Sequence, residues 1–536
     1  MSSPASSLRP DSEAEAGAPA AGGAGAGGAS PDGPGQDGGA SDGAEVASLP
    51  PGSAGDMISP GQPPAEPRAD APTAESVAAA AGVAAPQRPM HQHVTFRQAF
   101  AHRYFRRVLV AQFVSNVGTW MELFTIQMFV AQTTGRLDDQ GILGALQSLP
   151  IFLLGILGGL AADRFNRRTL LVVTQVLAAV VAAGVALVAA WDFESKRTAV
   201  HWLFALGALN GCVMAFNFPA WQTLTPRLVP RAELSRAIAL NGIQFNMARV
   251  LGPALAGLLL ATVAAWPLLA FNAVSFLIVA GVVASTPDAP APARDGASVW
   301  QQVGAAWRFL RHERGPRAVF LAQVYISLLA APLVRLLSMF VIDVYGLEPR
   351  AAEPAAGTLL AVQGIGAVIG GVALGYIPPW YPRHHFIPVA VSALGLAISL
   401  FAATTTLWMG YGAMLICGFF WIWAFNQSWA ALQVLAPDHM RGRVLSLVTV
   451  AGFGATALGV LIAGLVGEVI KRQELLSPAG ATQAVIGGFG IPLLLGGVYM
   501  LMNRTPEVDG PERVPAPRKA SGKLVDAVLA REHWPE

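Results

Sequence analysis

Two ionisable residues stand deep inside stretches that are otherwise apolar. Glu122 lies about 16 residues into the first long apolar segment, and Arg335 about 18 residues into the seventh. A carboxyl group at such a depth can take up and release a proton, and a guanidinium can hold an anion. Either group is expensive in hydrocarbon unless it faces protein or water. At 1.5 Å per residue the two sit at similar depths, which leads us to expect that they interact or share one cavity. Glu122 then reads either as a proton-coupling group or as one member of a static ion pair. Amides recur on other segments: Gln112, Asn116 and Gln127 on the first, Asn210 and Asn217 on the fourth, Gln244 and Asn246 on the fifth. Gln323, Gln363, Asn426 and Gln427 follow later in the chain. Any one of them reads as an interhelical hydrogen bond worth about 1 kcal/mol. As a set they describe a mostly apolar cavity with scattered polar groups, to which Trp421, Trp423 and Trp429 could add aromatic surface.

Other chemistries find no support. Cys212 and Cys417 both fall within apolar runs and read as small packing residues, and the nine histidines lie in tails or near segment ends. Neither a metal cluster nor a Ser/His/Asp arrangement can be assembled from the interior, and no Gly-Lys-Ser/Thr phosphate loop is present. The formal net charge of +2 supplies no basic field for nucleic acid. No cofactor, metal or catalytic residue is expected.

The elements that carry these residues follow from composition. Of the 536 residues 53% are hydrophobic and only 13% charged, where a soluble domain has about 25% charged. From Val108 onward, apolar segments of about 20 residues recur, each long enough to cross about 30 Å of hydrocarbon. They number twelve: 106–133, 140–163, 169–191, 201–223, 237–264, 266–286, 317–344, 355–378, 385–405, 407–434, 444–470 and 480–503. The expected architecture is an all-α membrane protein with two six-helix halves, 96–286 and 317–505. A central loop, 287–316, should contain an interfacial helix with Val299, Val303, Trp307, Phe309 and Leu310 among Gln and Arg. Residues 1–95, rich in Ala, Gly, Pro, Ser and Asp, predict a disordered tail, and 506–536 form a second tail. Arginines cluster before the first crossing, after the second, fourth and tenth, and in the central loop. The other loops carry fewer, chiefly Arg136, Lys196, Arg197, Arg350, Lys471 and Arg472. The positive-inside rule therefore places both termini in the cytoplasm.

Two parts of the chain resemble each other. Leu228–Leu258 aligns without gaps on Leu435–Leu465, matching Pro230 with Pro437, Arg236 with Arg443, Leu240 with Leu447, Gly252 with Gly459 and Gly257 with Gly464. That offset suits two halves related by an axis along the membrane normal. The run Gly158-Gly159-Leu160-Ala161-Ala162-Asp163-Arg164-Phe165-Asn166-Arg167-Arg168 resembles the loop motif between the second and third helices of the major facilitator superfamily. Ser115 to Met121, Pro219 to Gln222 through Val229-Pro230, and Arg249-Val250-Leu251-Gly252-Pro253 are similar to its drug:proton antiporter branch, the transmembrane secretion effectors, which includes macrolide efflux and enterobactin export permeases. The second-half counterpart, Gly370 to Tyr376, keeps the glycines and lacks the acidic residue.

The resemblance implies that Asp163, among Arg164, Arg167 and Arg168 and behind Gly158 and Gly159, holds the cytoplasmic side shut against the start of the eleventh helix near Arg443–Ser446. The plainer alternative is that the three arginines anchor a short loop. Arg249, Gly252, Pro253 and Gly257 resemble the exporters' antiporter motif. The implied function is secondary active efflux of small amphipathic molecules, coupled to protons, by a monomer in the inner membrane. Two alternatives remain at this stage: movement of a lipid or metabolite by the same fold, and a polytopic scaffold or receptor that transports nothing.

Overall fold

The computed structural model describes residues 100–510 apart from 231–232, 288–298 and 379. The N-terminal stretch expected to be disordered, most of the C-terminal tail and the first part of the central loop lie outside the described residues. Among the described residues every long element is helical. The first six helices are α1 (Arg103–Thr134), α2 (Leu137–Arg164), α3 (Arg167–Ala190), α4 (Lys196–Leu228), α5 (Leu234–Leu260) and α6 (Ala265–Ala284). After α7 (Val299–His312) come α8 (Arg314–Arg335), α9 (Leu337–Asp343), α10 (Pro349–Leu374), α11 (Arg383–Ala402), α12 (Leu407–Leu435), α13 (Arg441–Arg472) and α14 (Pro478–Met502). A single 3-10 turn, Pro506–Asp509, closes the described chain.

Eleven of these helices are long and apolar enough to cross a membrane among the described residues. Helix α1 is not one of them, because Gln112, Ser115, Asn116, Glu122 and Gln127 interrupt its apolar run. It nevertheless packs inside the bundle against α5 and α6, so the twelve crossings stand. The seventh crossing is not the continuous helix expected at 317–344. It breaks at Leu336 into α8 and α9, four residues after Pro332. The break lies on the far side of Pro332 from the turn a proline disturbs, and the Pro332 carbonyl still accepts the Leu336 N–H at 2.9 Å. The helix expected in the central loop is α7, whose Ala306 and Leu310 are buried and whose Trp307 ring meets Phe320 of α8 edge-on at 6.1 Å.

The two halves meet along two seams, α2 against α13 and α5 against α10. Alanine or anything larger would not fit at the tightest points of either. A Cβ on Gly257 would stand 3.1 Å from the Cα of Gly357, and one on Gly464 would stand 2.8 Å from the Cα of Gly141. Both contacts lie toward the end of the bundle that carries the α1–α2 and α13–α14 loops. We call this the loop end, and the other the terminal end. Further along each seam, side chains fill the gap: Val450 against Gly155, Phe152 against Gly454, and Val250 against Gly364. Gly242 of α5 and Gly371 of α10, nearer the terminal end, are exposed or half-buried, and neither has an atom within 4 Å of its would-be Cβ.

The internal sequence repeat has a structural basis. Gly252 of α5 lies against Val117 and Trp120 of α1, and its match Gly459 of α13 lies against Leu328 of α8. Gly257 meets α10 and its match Gly464 meets α2. Exchanging the halves exchanges each contact for its counterpart, as a two-fold relation between six-helix units requires. Among the described residues helices α1 and α8 make no substantial contact with each other, nor do α4 and α12, although α9, the second part of the seventh crossing, touches α1.

Substituting Gly464→Leu should push α2 from α13 and lower the melting temperature of the detergent-purified protein by several degrees, a cost of about 1–3 kcal/mol. Gly442→Ala, at a glycine with open space around it, should melt like the parent.

Candidate functional site

The two ionisable groups expected to pair do not. Glu122 of α1 turns into its own half, where its Oε2 accepts a 2.6 Å hydrogen bond from Asn272 Nδ2 of α6. Asn272 is wholly buried and fits because Gly118 has no side chain: a Cβ there would stand 2.6 Å from its Oδ1. Ser275 Oγ, one turn on, lies 3.2 Å from both Asn272 Oδ1 and Ser115 Oγ of α1. The carboxyl group is thus held by neutral neighbours, and among the described residues no cation lies within ion-pair distance of it.

Arg335 reaches across the seam instead. It is the last residue of α8, at the break in the seventh crossing, and its Nη1 donates to Gln147 Oε1 of α2 at 2.7 Å. A cation at a helix C-terminus also meets the free carbonyls of the last turn favourably. Similar depth on helices that the resemblance places side by side was the reason for expecting Glu122 and Arg335 to interact or share a cavity, and depth carries no information on the direction of either side chain.

The amides divide in the same way. Asn116 Nδ2 donates to Gln244 Oε1 at 3.1 Å, joining α1 to α5, and Asn217 Nδ2 donates to Thr174 Oγ1 at 2.8 Å, joining α4 to α3. These bonds are internal to the first half. Gln112, half-buried, and Asn426, exposed, make no side-chain hydrogen bond among the described residues. Arg249 is half-buried and has no polar partner among the described residues. Its neighbours in the motif, Gly252, Pro253 and Gly257, supply the close approaches to α1 and α10 described above.

In the loop motif, Gly158 lets α2 approach Ala215 of α4, whereas Gly159 has open space. Asn166 caps α3, its Oδ1 accepting from the backbone N–H groups of Arg168 at 3.0 Å and Thr169 at 3.3 Å. Arg168 donates to the Ala284 carbonyl at the end of α6, and Arg167 lies 3.4 Å from the Ala162 carbonyl at the end of α2. Arg164 is exposed, and the Asp163 side chain lies outside the described residues.

A second constellation, missed from sequence, closes the loop end. Arg136 precedes α2 and is paired with Asp138 by both donors, lies 3.5 Å from Asp139, and lies 3.9 Å from Glu468 of α13 in the other half. Glu468 is buried. It accepts the Leu137 backbone N–H at 3.1 Å and Arg472 Nε at 3.1 Å. Arg472 lies 3.6 Å from Asp138, and Arg197 pairs with buried Asp139. The hydrogen bond that Arg136 donates to Asp138, opposed by desolvation and aided by the nearby carboxylates, raises Arg136 above the usual guanidinium pKa. Beside this cluster Lys471 Nζ and Thr482 Oγ1 each bind Asp343 at 2.6 Å, and Gln132 of α1 donates to Glu353 of α10 at 3.1 Å. The basic members were visible as stray charges on the other loops. The acidic ones, an Asp-Asp pair opening an apolar segment and a Glu four residues before Arg472, were the overlooked signal.

Comparison with known proteins places this geometry. The chain matches the family described as transmembrane secretion effector over residues 95–535. The chain belongs to this family, within the major facilitator superfamily. The transmembrane secretion effectors are transporters, not enzymes, so this chain is a multi-pass membrane transporter of small molecules. The multidrug efflux pump Tap of Mycobacterium tuberculosis is 25% identical to it over 373 residues, covering 67% of this chain and 85% of that one. The enterobactin exporter EntS of Escherichia coli is 27% identical over 409 residues, covering 75% and 92%. Among solved structures, the nucleoside transporter NupG superposes with a TM-score of 0.58 at 13% identity, covering 74% of this chain and 99% of that one. A D-xylose–proton symporter gives 0.55 at 14%, covering 77% and 98%. The last two show the fold alone.

Two stability measurements follow from these contacts. Asn272→Leu should leave the Glu122 carboxyl buried without its donor and cost about 1–3 kcal/mol in a thermal melt, whereas Glu122→Gln should cost much less. At the loop end, Glu468→Ala should lower the melting temperature more than Arg136→Ala. It strands the Leu137 N–H and Arg472, while Arg136 is one-third exposed.

Proposed function

We propose that this transporter is an exporter: it moves small amphipathic molecules outward across the inner membrane by alternating access, driven by proton entry. The relatives named for drug efflux and enterobactin export support the direction. In this reading residues 96–286 and 317–505 are the two moving halves, the 287–316 segment couples them, and the terminal end with both tails faces the cytoplasm. The positive-inside asymmetry supports that orientation. A monomer suffices, since each chain carries both halves.

The observation that carries the reading is the ionic cluster at the loop end. It joins Arg136, Asp138 and the first N–H of α2 to Glu468 and Arg472 of the opposite half, next to the Gly141–Gly464 contact. A seal of this kind on one face, with open space at Gly242 of α5 and Gly371 of α10 toward the other, suits a state in which the loop end is shut. Asp163 and its arginines are the corresponding device at the terminal end, with Gly158 setting the α2–α4 distance. Glu122 is the proton-coupling group. Its partners are neutral, so no fixed positive charge holds it ionised through the cycle.

The test is flux of a panel of fluorescent amphiphilic dyes in proteoliposomes under an imposed pH gradient. The gradient should accelerate transport, and Glu122→Gln should abolish that acceleration while leaving gradient-free exchange of dye in place. Flux indifferent to the gradient in the parent protein would remove the coupling. Loss of exchange as well as acceleration in Glu122→Gln would make the residue structural.

A further inference from the structure

Within the crossings, the central arginines are left without a carboxylate. Arg335 has only the neutral amide of Gln147, Arg249 has no polar partner among the described residues, and the one central carboxyl, Glu122, is turned away toward α6. The remaining acids that make ion pairs on these helices, Asp138, Asp139, Asp343 and Glu468, are gathered at the loop end. An arginine is protonated at every accessible pH, and one held inside a membrane protein without a counter-charge is costly. A mobile anion relieves that cost.

The two guanidiniums lie at similar depths, Arg335 beside the α2–α13 seam and Arg249 next to the α5–α10 seam. Arg249 lies eight residues, about 12 Å along the helix, from Gly257, and Gln147, which receives Arg335, lies about 9 Å from Gly141. The Gly257 and Gly141 contacts are equivalents under the two-fold repeat, so the two levels differ by about 3 Å. On α5, Arg249 points between Gly252, which faces α1, and Val250, which faces α10, on the side of the helix opposite exposed Met247, Leu251, Leu255 and Leu258.

An aromatic stripe reaches the same level. Val250 packs on Gly364 of α10, and the adjacent Gln363 carbonyl is where α12 approaches with Gly418. One turn from Gly418, Trp421 and Phe425 stack with ring planes 12° apart and centroids 6.4 Å apart, and Trp429 continues the row. All three are only partly buried, on the side of α12 opposite exposed Met409, Ile416 and Val434. Trp423 is turned elsewhere, donating to the Gly370 carbonyl.

Resting on the exporter reading, we propose that the substrates are anionic, planar amphiphiles: an arginine of this layer, Arg249 or Arg335, takes the acidic group, and the Trp421–Phe425–Trp429 stripe takes the rings. Guanidiniums suit carboxylates through paired donors, and stacked aromatic rings suit a flat apolar body.

The experiment is equilibrium binding to the full-length protein in zwitterionic nanodiscs, which needs neither gradient nor turnover. Fluorescein and rhodamine 123 share one ring skeleton and differ in charge. Read by anisotropy, fluorescein should bind at least about tenfold more tightly. Arg335→Gln combined with Arg249→Gln should erase that preference, and the Arg→Lys pair should keep most of it. Trp421→Ala should weaken both dyes alike. Equal or tighter binding of the cation, or binding of neither dye, overturns the proposal even where flux experiments support export. Displacement of fluorescein by millimolar chloride or phosphate overturns it too, since the site would then be one for inorganic anions. If binding behaves as expected and flux ignores the pH gradient, the substrate class stands and the coupling falls.

Discussion

A polar side chain within a hydrocarbon slab has no water to turn to, so it must be met by another group of the same protein or by something the protein carries. This constraint sorts the interior of the chain. Asn116 with Gln244, Asn217 with Thr174, and Glu122 with Asn272 are settled within the first half, and each fixes one helix against its neighbour. Arg335 is settled across the two halves, by an amide that neutralises nothing. Arg249 is not settled at all among the described residues. Groups satisfied locally hold helices of the first half together, and the two arginines are the groups left over.

Motion between the halves needs surfaces that come apart without leaving polar groups stranded. Glycine pairs provide this in the membrane-embedded part of the seams, since Gly257 on Gly357 and Gly141 on Gly464 hold by backbone proximity and expose little when they separate. The charged part of the seal is placed at the loop end, where water can replace the partners of Arg136, Arg472 and Glu468 when the contact opens. Apolar contact in the middle and ionic contact at the rim therefore belong to one design.

Much of this was legible in the amino-acid sequence, for physical reasons. Length and hydropathy specify how many times a chain crosses a membrane, so the twelve segments, the central-loop helix α7 and the repeat were readable. The matched glycines at 252 and 459, and at 257 and 464, were visible as identities. What they touch was not, because a glycine's partner lies on a distant helix. The partner of Glu122 was missed because depth along a helix says nothing about direction around it. Glu122 and Arg335 do belong to central helices, yet Asn272 on α6 claims the carboxyl group, and Gln147 on α2 claims Arg335. The loop-end cluster was overlooked because its members lie 331 residues apart in the chain, as Leu137 and Glu468 show.

The placement of the glycine contacts has a mechanical consequence. Each lies near one face of a slab whose apolar thickness is about 30 Å, so each half has its bearing near one end and a long arm beyond it, along which the side chains of Val450, Phe152 and Val250 close the seams. A tilt of about 10° about such a bearing would displace the far end of a 30 Å arm by about 5 Å, enough to admit a flat ring system edge-on. Little else has to rearrange at the bearing itself, and a passage opens from a rotation smaller than the usual inclination of a single membrane helix.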